Sequence, residues 1–198
     1  ADEILTGFGR TGKMFAMEHW GIVPDVMTVA NGMTSSYMPL GAAIATKDVA
    51  DRFAGKDRIL HHTFTFAGHP VSAAAALKSI EILEREHLVR HAAEMGHYFR
   101  DSLGRLMVDH PIVGNVRGIG LFLAVELVSD RKTKAKFQSH HNIPARLNKK
   151  LQDRGLLYRA SSEVLTIGPP LSISRDEIDE IVKAFSESFG EIESELGM

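Results

Sequence analysis

The sequence predicts an α/β fold up to about residue 110 and a smaller α+β part after it. In the first part, short β-branched runs alternate with segments of helical periodicity, an order typical of α/β proteins. The pair His110-Pro111 interrupts this order, and strand-like runs and a long final helix follow. We therefore expect one domain over residues 1–110 and another over residues 111–198.

Composition excludes several classes of protein. The 198 residues are 44% hydrophobic, which suits one large or two small domains with a core. A net charge of -2 without a lysine or arginine block predicts no binding of nucleic acid or of an anionic membrane. No apolar run approaches the roughly 20 residues of a membrane span. The absence of cysteine excludes disulfides and fits a cytoplasmic location.

Residues 25–30 are central to the first part, because this β-branched, nearly uncharged run is typical of a buried strand and ends at Asn31-Gly32. Residues 1–5 resemble the end of another strand, and the small, apolar residues 41–46 predict another buried strand. The glycine-dense residues 7–12 predict a loop. Short helices are expected at 13–20 and 47–53.

Helical periodicity becomes clear from Pro70, a residue suited to the first turn of a helix. We expect this helix to pass into a second one that ends near residue 109. In the last part we expect a strand at 116–128, a helix at 142–154, and strands at 156–159 and 164–167. Ser174 and Glu177 form a capping box for a final helix.

Two patterns invite other interpretations. Residues 7–12 have the glycine spacing of a dinucleotide-binding fingerprint, but Gly21 and Pro24 break the helix that this motif requires, and Asp25 precedes its strand instead of ending it. The histidines lack the paired spacing of zinc sites and have no cysteine or carboxylate cluster nearby. We predict neither a nicotinamide cofactor nor a metal.

Several motifs resemble those of the class III aminotransferases, the pyridoxal-phosphate enzymes that include the ω-amino acid:pyruvate type. They occur in that family's order and approximate spacing, as residues 2–12 (DEILTGFGRTG), 24–32 (PDVMTVANG), 39–42 (PLGA), 65–70 (TFAGHP), 116–121 (VRGIGL) and 169–171 (PPL). The resemblance implies fold type I, with part of the large domain followed by the small C-terminal domain. It also implies a missing amino-terminal half, pyridoxal 5'-phosphate as cofactor, and a homodimer with shared active sites.

The resemblance assigns roles to particular residues. The aspartate at the position of Asp2 pairs with the protonated pyridine nitrogen of the cofactor, and Ile4 would pack against the ring. Phe64 and Thr65 belong to the segment that reaches the cofactor phosphate of the partner subunit. Arg159 would bind a substrate carboxylate. Considered alone, Asp2 could be a strand-end cap, Thr65 an ordinary loop residue and Arg159 half of a surface ion pair.

Asn31 departs from the family. The family has a lysine here that binds the cofactor covalently and moves a proton as a free amine. An asparagine amide is neither nucleophilic nor basic near neutral pH. Two hypotheses follow: an aminotransferase that passes an amino group from an amine or ω-amino acid to a keto acid such as pyruvate, impaired by Asn31, or a non-catalytic relative that serves as a binding or dimerisation module.

Overall fold

Strands β1 (Val26–Val29) and β2 (Ala42–Ala45) form a two-stranded antiparallel sheet. A computed structural model describes residues 1–158, 160 and 162–198 of the chain. Short 3-10 helices, Ala16–Trp20 and Asn31–Met33, precede and follow β1. These elements belong to the first of two compact units, Ala1–Ala92.

The first unit also contains two α-helices. Helix α1 (Lys47–Ala50) is a single turn, and helix α2 (Pro70–Arg85) is long. Pro70 occupies the first turn of α2, as predicted, because its missing N–H would have no partner there. The imidazole of His69 caps this helix by accepting a hydrogen bond from the N–H of Ser72.

The expected burial of the two predicted strands is wrong for this chain. Both strands are present, but β2 is exposed along its whole length and only Val29 of β1 is buried. Hydrogen bonding between β1 and β2 satisfies the backbone, whereas covering a face of a sheet requires a packed layer of other elements. Over the described residues, this pair of strands is left largely uncovered except at Val29, near the end of β1.

The second compact unit, Ala93–Met198, contains an antiparallel sheet in the order β3-β4-β5. Its strands are β3 (Val113–Ile119), β4 (Phe122–Leu127) and β5 (Val164–Ile167). Its helices comprise most of α3 (Leu88–Asp109) together with α4 (Ile143–Asp153) and α5 (Arg175–Leu196). The division between the units falls inside α3, and the expected domain boundary at residue 110 remains a prediction about the whole protein.

The single strand expected at 116–128 is in fact a hairpin. Strand β3 ends at Ile119, and the chain reverses at Gly120-Leu121 before β4 begins. Gly120 has φ +56°, which favours glycine in this turn. A Cβ on Gly118 would lie 2.2 Å from the carbonyl oxygen of Phe122, so the two strands approach closely only because that atom is absent.

The strand expected at 156–159 is also wrong where it can be compared. Residues 156–158 form no strand. The N–H of Leu156 donates back to the carbonyl of Leu151 at the end of α4 (2.9 Å), and Gly155 adopts φ +78°. This helix ending turns the chain away from an extended conformation. Arg159 lies outside the described residues.

The core of the second unit is made of large apolar side chains from both sheet and helices. The fully buried ones include Phe99, Leu103, Leu123, Leu127, Leu147, Leu151, Leu165, Phe185 and Phe189. Helix α5 supplies two of these rings, and its predicted capping box is confirmed: the hydroxyl of Ser174 accepts from the N–H of Glu177, whose carboxylate accepts from the N–H of Ser174.

Candidate active site

Asp2 lies beside strand β1 and is held there by backbone hydrogen bonds. It forms a parallel bridge with Thr28, in which Glu3 N–H donates to the Thr28 carbonyl (2.9 Å) and Thr28 N–H donates to the carbonyl of Ala1 (2.9 Å). The Asp2 side chain is exposed, and its Oδ1 accepts a hydrogen bond from the N–H of Ile4 (3.0 Å). The backbone is therefore fixed while the carboxylate can still accept a cationic donor.

Asn31 follows the same strand and begins a short 3-10 helix. Its carbonyl accepts from the N–H of Ser36 (3.1 Å), and the N–H of Met33 donates to Ala30 (2.8 Å). Helix α2 contacts this turn. The side chain of Asn31 is exposed. Both predicted catalytic positions thus neighbour β1, since Asp2 pairs with Thr28 and Asn31 follows two residues after the strand ends.

The glycine-dense loop packs against the Asn31 turn. A Cβ on Gly32 would lie 2.9 Å from the Cβ of Phe8 and 3.0 Å from the carbonyl oxygen of Gly7. Phe8 is buried and makes an edge contact with Phe15, with ring centroids 5.5 Å apart. Gly32 is therefore required for close approach, and the loop supports the end of β1.

Glu3 is a site residue that sequence reasoning missed. It is 1% exposed, and its carboxylate accepts from the N–H groups of Ala16 (3.0 Å) and Met17 (2.9 Å) and from the hydroxyl of Thr6. Glu3 thereby caps the first 3-10 helix. Because Glu3 follows Asp2 directly, the same hydrogen bonds hold the loop close to Asp2. Because Glu3 and Ala16 are 13 positions apart, no local capping pattern reveals the pairing. The only signal is that Glu3 adjoins Asp2.

Arg10 contributes a half-buried cation to the same loop. Burial lowers the pKa of its guanidinium from the usual value for arginine. The guanidinium stays protonated at neutral pH, because an arginine side chain is effectively always charged in proteins. The loop therefore keeps a positive charge, although neither Asp2 nor Asn31 is its partner in a described contact.

For Phe64 and Thr65, the described residues show no hydrogen bond or ring contact with β1. Phe64 is 69% exposed and contacts the ring of His62, with centroids 4.8 Å apart. Thr65 is exposed on the same irregular segment. Ile4 is 39% exposed and adjoins Asp2 through its N–H. Of the predicted set, Asp2 and Ile4 adjoin each other beside β1, and Asn31 follows the end of that strand.

The described part of the chain also limits two other kinds of site. Among residues 1–158, 160 and 162–198, no three His, Cys, Asp or Glu side chains are placed to hold a metal ion together. In that same part, no helix has the length and apolar character required to cross a membrane.

Comparison with known proteins identifies the family. The sequence model of the family described as Aminotransferase class-III matches residues 1–189. The chain belongs to the class III aminotransferases. It is 43% identical to an uncharacterized aminotransferase of Sinorhizobium fredii, over 99% of this chain and 43% of that protein. It is 37% identical to the putrescine–pyruvate aminotransferase of Pseudomonas aeruginosa, over 92% of this chain and 40% of that protein.

Solved structures agree with this assignment. An amine transaminase from an uncultivated Pseudomonas species, crystallised in its PLP-bound form, superposes with a TM-score of 0.91 at 35% identity. The match covers 96% of this aminotransferase chain and 44% of that one. The predicted family and the predicted fold type I are confirmed. The chain spans less than half the length of these relatives.

Proposed function

We propose that the protein is a pyridoxal-phosphate-dependent aminotransferase whose activity is strongly lowered by Asn31. The reaction would move an amino group from an amine or ω-amino acid to a keto acid such as pyruvate, the acceptor named for the Pseudomonas aeruginosa relative. The observation that supports the proposal is that Asp2 pairs with β1 and position 31 follows the end of that strand, in a chain of this family. A cytoplasmic location is part of the same proposal.

The residues present fit non-covalent binding of the cofactor. The exposed carboxylate of Asp2 has room to accept the N–H of a protonated pyridine ring, and Ile4 adjoins it with an accessible side chain. The exposed hydroxyl of Thr65, beside Phe64, can donate to a phosphate of the partner subunit. When bound, the cofactor would supply the electron sink for breaking the substrate's Cα–H bond.

The same residues do not fit covalent attachment. The lone pair of the Asn31 amide nitrogen is delocalised into the carbonyl, so the side chain can orient a ligand by hydrogen bonds but cannot accept a proton near neutral pH. Proton transfer by a placed base commonly contributes about 10²–10⁴-fold to an enzymatic rate. We expect at least that loss in this chain relative to a lysine form, because Asn31 also removes the nucleophile.

Three further assignments belong to this proposal. The active form would be a homodimer with shared sites, completed by the amino-terminal half of the same enzyme. The exposed apolar side chains of the first unit, such as Phe64 and Phe66, fit burial in such an assembly.

Arg159 would bind the carboxylate of the substrate, and residue 110 would mark the boundary between the large and small domains.

A second function is supported by the same asparagine. A member of the family that lacks the lysine could keep the fold as a binding or dimerisation module without catalysis. The exposed apolar surface of the first unit fits this alternative as well as the enzyme. The two functions differ in whether the site binds the cofactor.

One set of variants separates them. The longest expressible form of the protein would be mixed with pyridoxal phosphate and an amine donor, and cofactor absorbance and amino transfer to pyruvate would be followed for the parent and for Asn31→Lys. We expect non-covalent binding by the parent, and a new visible band together with turnover for Asn31→Lys. Asn31→Met is the matched control, because it has a long side chain without an amine.

Asp2→Asn on the Asn31→Lys background tests the ring partner. A neutral amide cannot stabilise a protonated pyridine nitrogen as a carboxylate does, so turnover should fall while the visible band persists. If neither the parent nor Asn31→Lys binds the cofactor, the enzyme assignment fails and the binding-module alternative stands.

A further inference from the structure

Asn31 is followed by glycine, and this pair has a reactivity that is independent of amino transfer. The chain has four asparagines, and the other three, Asn115, Asn142 and Asn148, precede valine, isoleucine and lysine. A glycine has no Cβ, so nothing on the following residue hinders its backbone nitrogen from approaching the preceding side chain. Only Asn31 offers this arrangement.

Neither reacting group is held by a hydrogen bond to a described residue. The side chain is exposed, and its amide makes no hydrogen bond with a described residue. Neighbouring backbone N–H groups are occupied, since Met33 donates to Ala30 (2.8 Å) and Ser36 to Asn31 (3.1 Å). In contrast, the N–H of Gly32 donates to no acceptor among the described residues.

We propose that Asn31 is a site of spontaneous deamidation. The backbone nitrogen of Gly32 attacks Cγ of Asn31, a new N–Cγ bond closes a five-membered imide, and Nδ2 leaves as ammonia with the proton from Gly32. Water then opens either carbonyl of the imide. The product is an aspartate or an isoaspartate, and the step consumes one water and needs no oxidant or reductant.

The product changes both charge and backbone at the end of β1. A carboxylic acid with a reference pKa of about 3.9 is ionised at neutral pH, so the net charge becomes one unit more negative. The isoaspartate form lengthens the main chain at the residue whose carbonyl accepts from Ser36. An effect of this charge on cofactor binding rests on the proposed function, whereas the deamidation itself does not.

The other asparagines are internal controls. The amide of Asn148 is held on both sides by Ala160, accepting from its N–H (2.6 Å) and donating to its carbonyl (2.9 Å). The Oδ1 of Asn115 accepts from Arg117 (3.2 Å). Asn142 is exposed like Asn31 but precedes a buried, β-branched isoleucine that begins α4. Asn142 is therefore the closest match that differs in the following residue.

The test is a time course of the intact protein at mildly alkaline pH, followed by proteolysis at low pH and mass spectrometry of the four asparagine peptides. We expect the Asn31 peptide to convert about tenfold faster than the Asn142 peptide, because glycine removes the steric hindrance. An unincubated sample gives the zero point. Ammonia release should match the conversion.

Asn31→Gln is the matched variant, since its exposed side chain keeps the amide but places it one bond further from the Gly32 nitrogen. Ammonia release and isoaspartate should fall to the level of the other asparagines. Conversion of Asn31 no faster than that of Asn142 would overturn the proposal. Neither readout involves the cofactor, so this result is separate from failure of the aminotransferase assignment.

Discussion

Each compact unit contains a buried glutamate that binds a backbone N–H, but the two glutamates have different partners. In the first unit, the carboxylate of Glu3 accepts from two backbone N–H groups and a hydroxyl. In the second unit, Glu193 accepts from the N–H of Ile112 (2.9 Å) and also binds Nδ1 of His110 (2.8 Å). The partners of Glu3 only donate hydrogen bonds here, whereas an imidazole can either donate or accept.

The packing around the two glutamates also differs. His110 also binds the hydroxyl of Ser186 through Nε2 (2.8 Å) and contacts the ring of Phe189, with centroids 5.8 Å apart. That network borders the apolar core of the second unit, whereas most of the exposed large apolar side chains belong to the first unit, among them Val23 at 87%. The second unit therefore has a core of its own, while the first has a fixed site with uncovered surroundings.

The largest expected effect tests this difference in packing. Phe189→Ala should lower the free energy of unfolding by about 3–5 kcal/mol, because a fully buried ring leaves a cavity. Phe66→Ala, at a ring that is 77% exposed in the first unit, should change it by less than about 0.5 kcal/mol. Urea unfolding followed by circular dichroism measures both, and comparable losses would contradict the distinction.

The glutamates themselves give the next prediction. Glu3→Gln should cost about 1–3 kcal/mol, because the amide NH₂ must face a backbone N–H of Ala16 or Met17. Glu193→Gln should cost less than about 1 kcal/mol, because neutral His110 can accept at Nδ1 while donating to Ser186. Hydrogen exchange, measured for each unit, reports the two losses of stability separately. Equal losses would contradict the idea that Glu3→Gln costs more because the partners of Glu3 can only donate.

A tyrosine of the second unit gives a pH dependence. Burial raises the pKa of Tyr158 to about 12, and its hydroxyl donates to the carbonyl of Thr166 (2.9 Å). The unfolded phenol loses its proton near pH 10, so the folded state binds more protons between about pH 10 and 12 and stability falls as pH rises through that range.

The measurement is the pH dependence of stability together with an ultraviolet titration of the tyrosines. Tyr158→Phe should remove the step near pH 12 and flatten the fall in stability above about pH 10. Tyr37→Phe is the control, because Tyr37 is 86% exposed in the first unit. A step near pH 12 that survives in Tyr158→Phe would contradict the assignment.

The smallest expected effect is a gain. The hydroxyl of Ser188 is fully buried in α5 and has no hydrogen-bond partner among the described residues. Ser188→Ala should raise the free energy of unfolding by about 0.5–1.5 kcal/mol, since it removes an unsatisfied polar group and favours the helix. Ser194→Ala, at an exposed position near the end of the same helix, isolates the propensity contribution. If Ser188→Ala raises the free energy of unfolding no more than Ser194→Ala does, the Ser188 hydroxyl has a hydrogen-bond partner.

The sequence by itself determined the family and the long helices. Helix α5 was predictable because a capping box and helical spacing are local patterns, and the same holds for Pro70 at the start of α2. The proposed loss of the covalent attachment of the cofactor rests on the identity of Asn31 alone. The placement of Asp2 beside β1 also agrees with a strand end predicted at residues 1–5.

Tertiary structure alone decided which distant groups meet. His110 and Glu193 are 83 positions apart, and Glu3 binds an N–H 13 positions away, so no spacing rule reveals either pair. The hairpin at Gly120 and the exposure of β2 depended on strand pairing and on which faces are covered. Local propensity acts within a few residues, whereas partner choice and burial are set when the chain closes on itself.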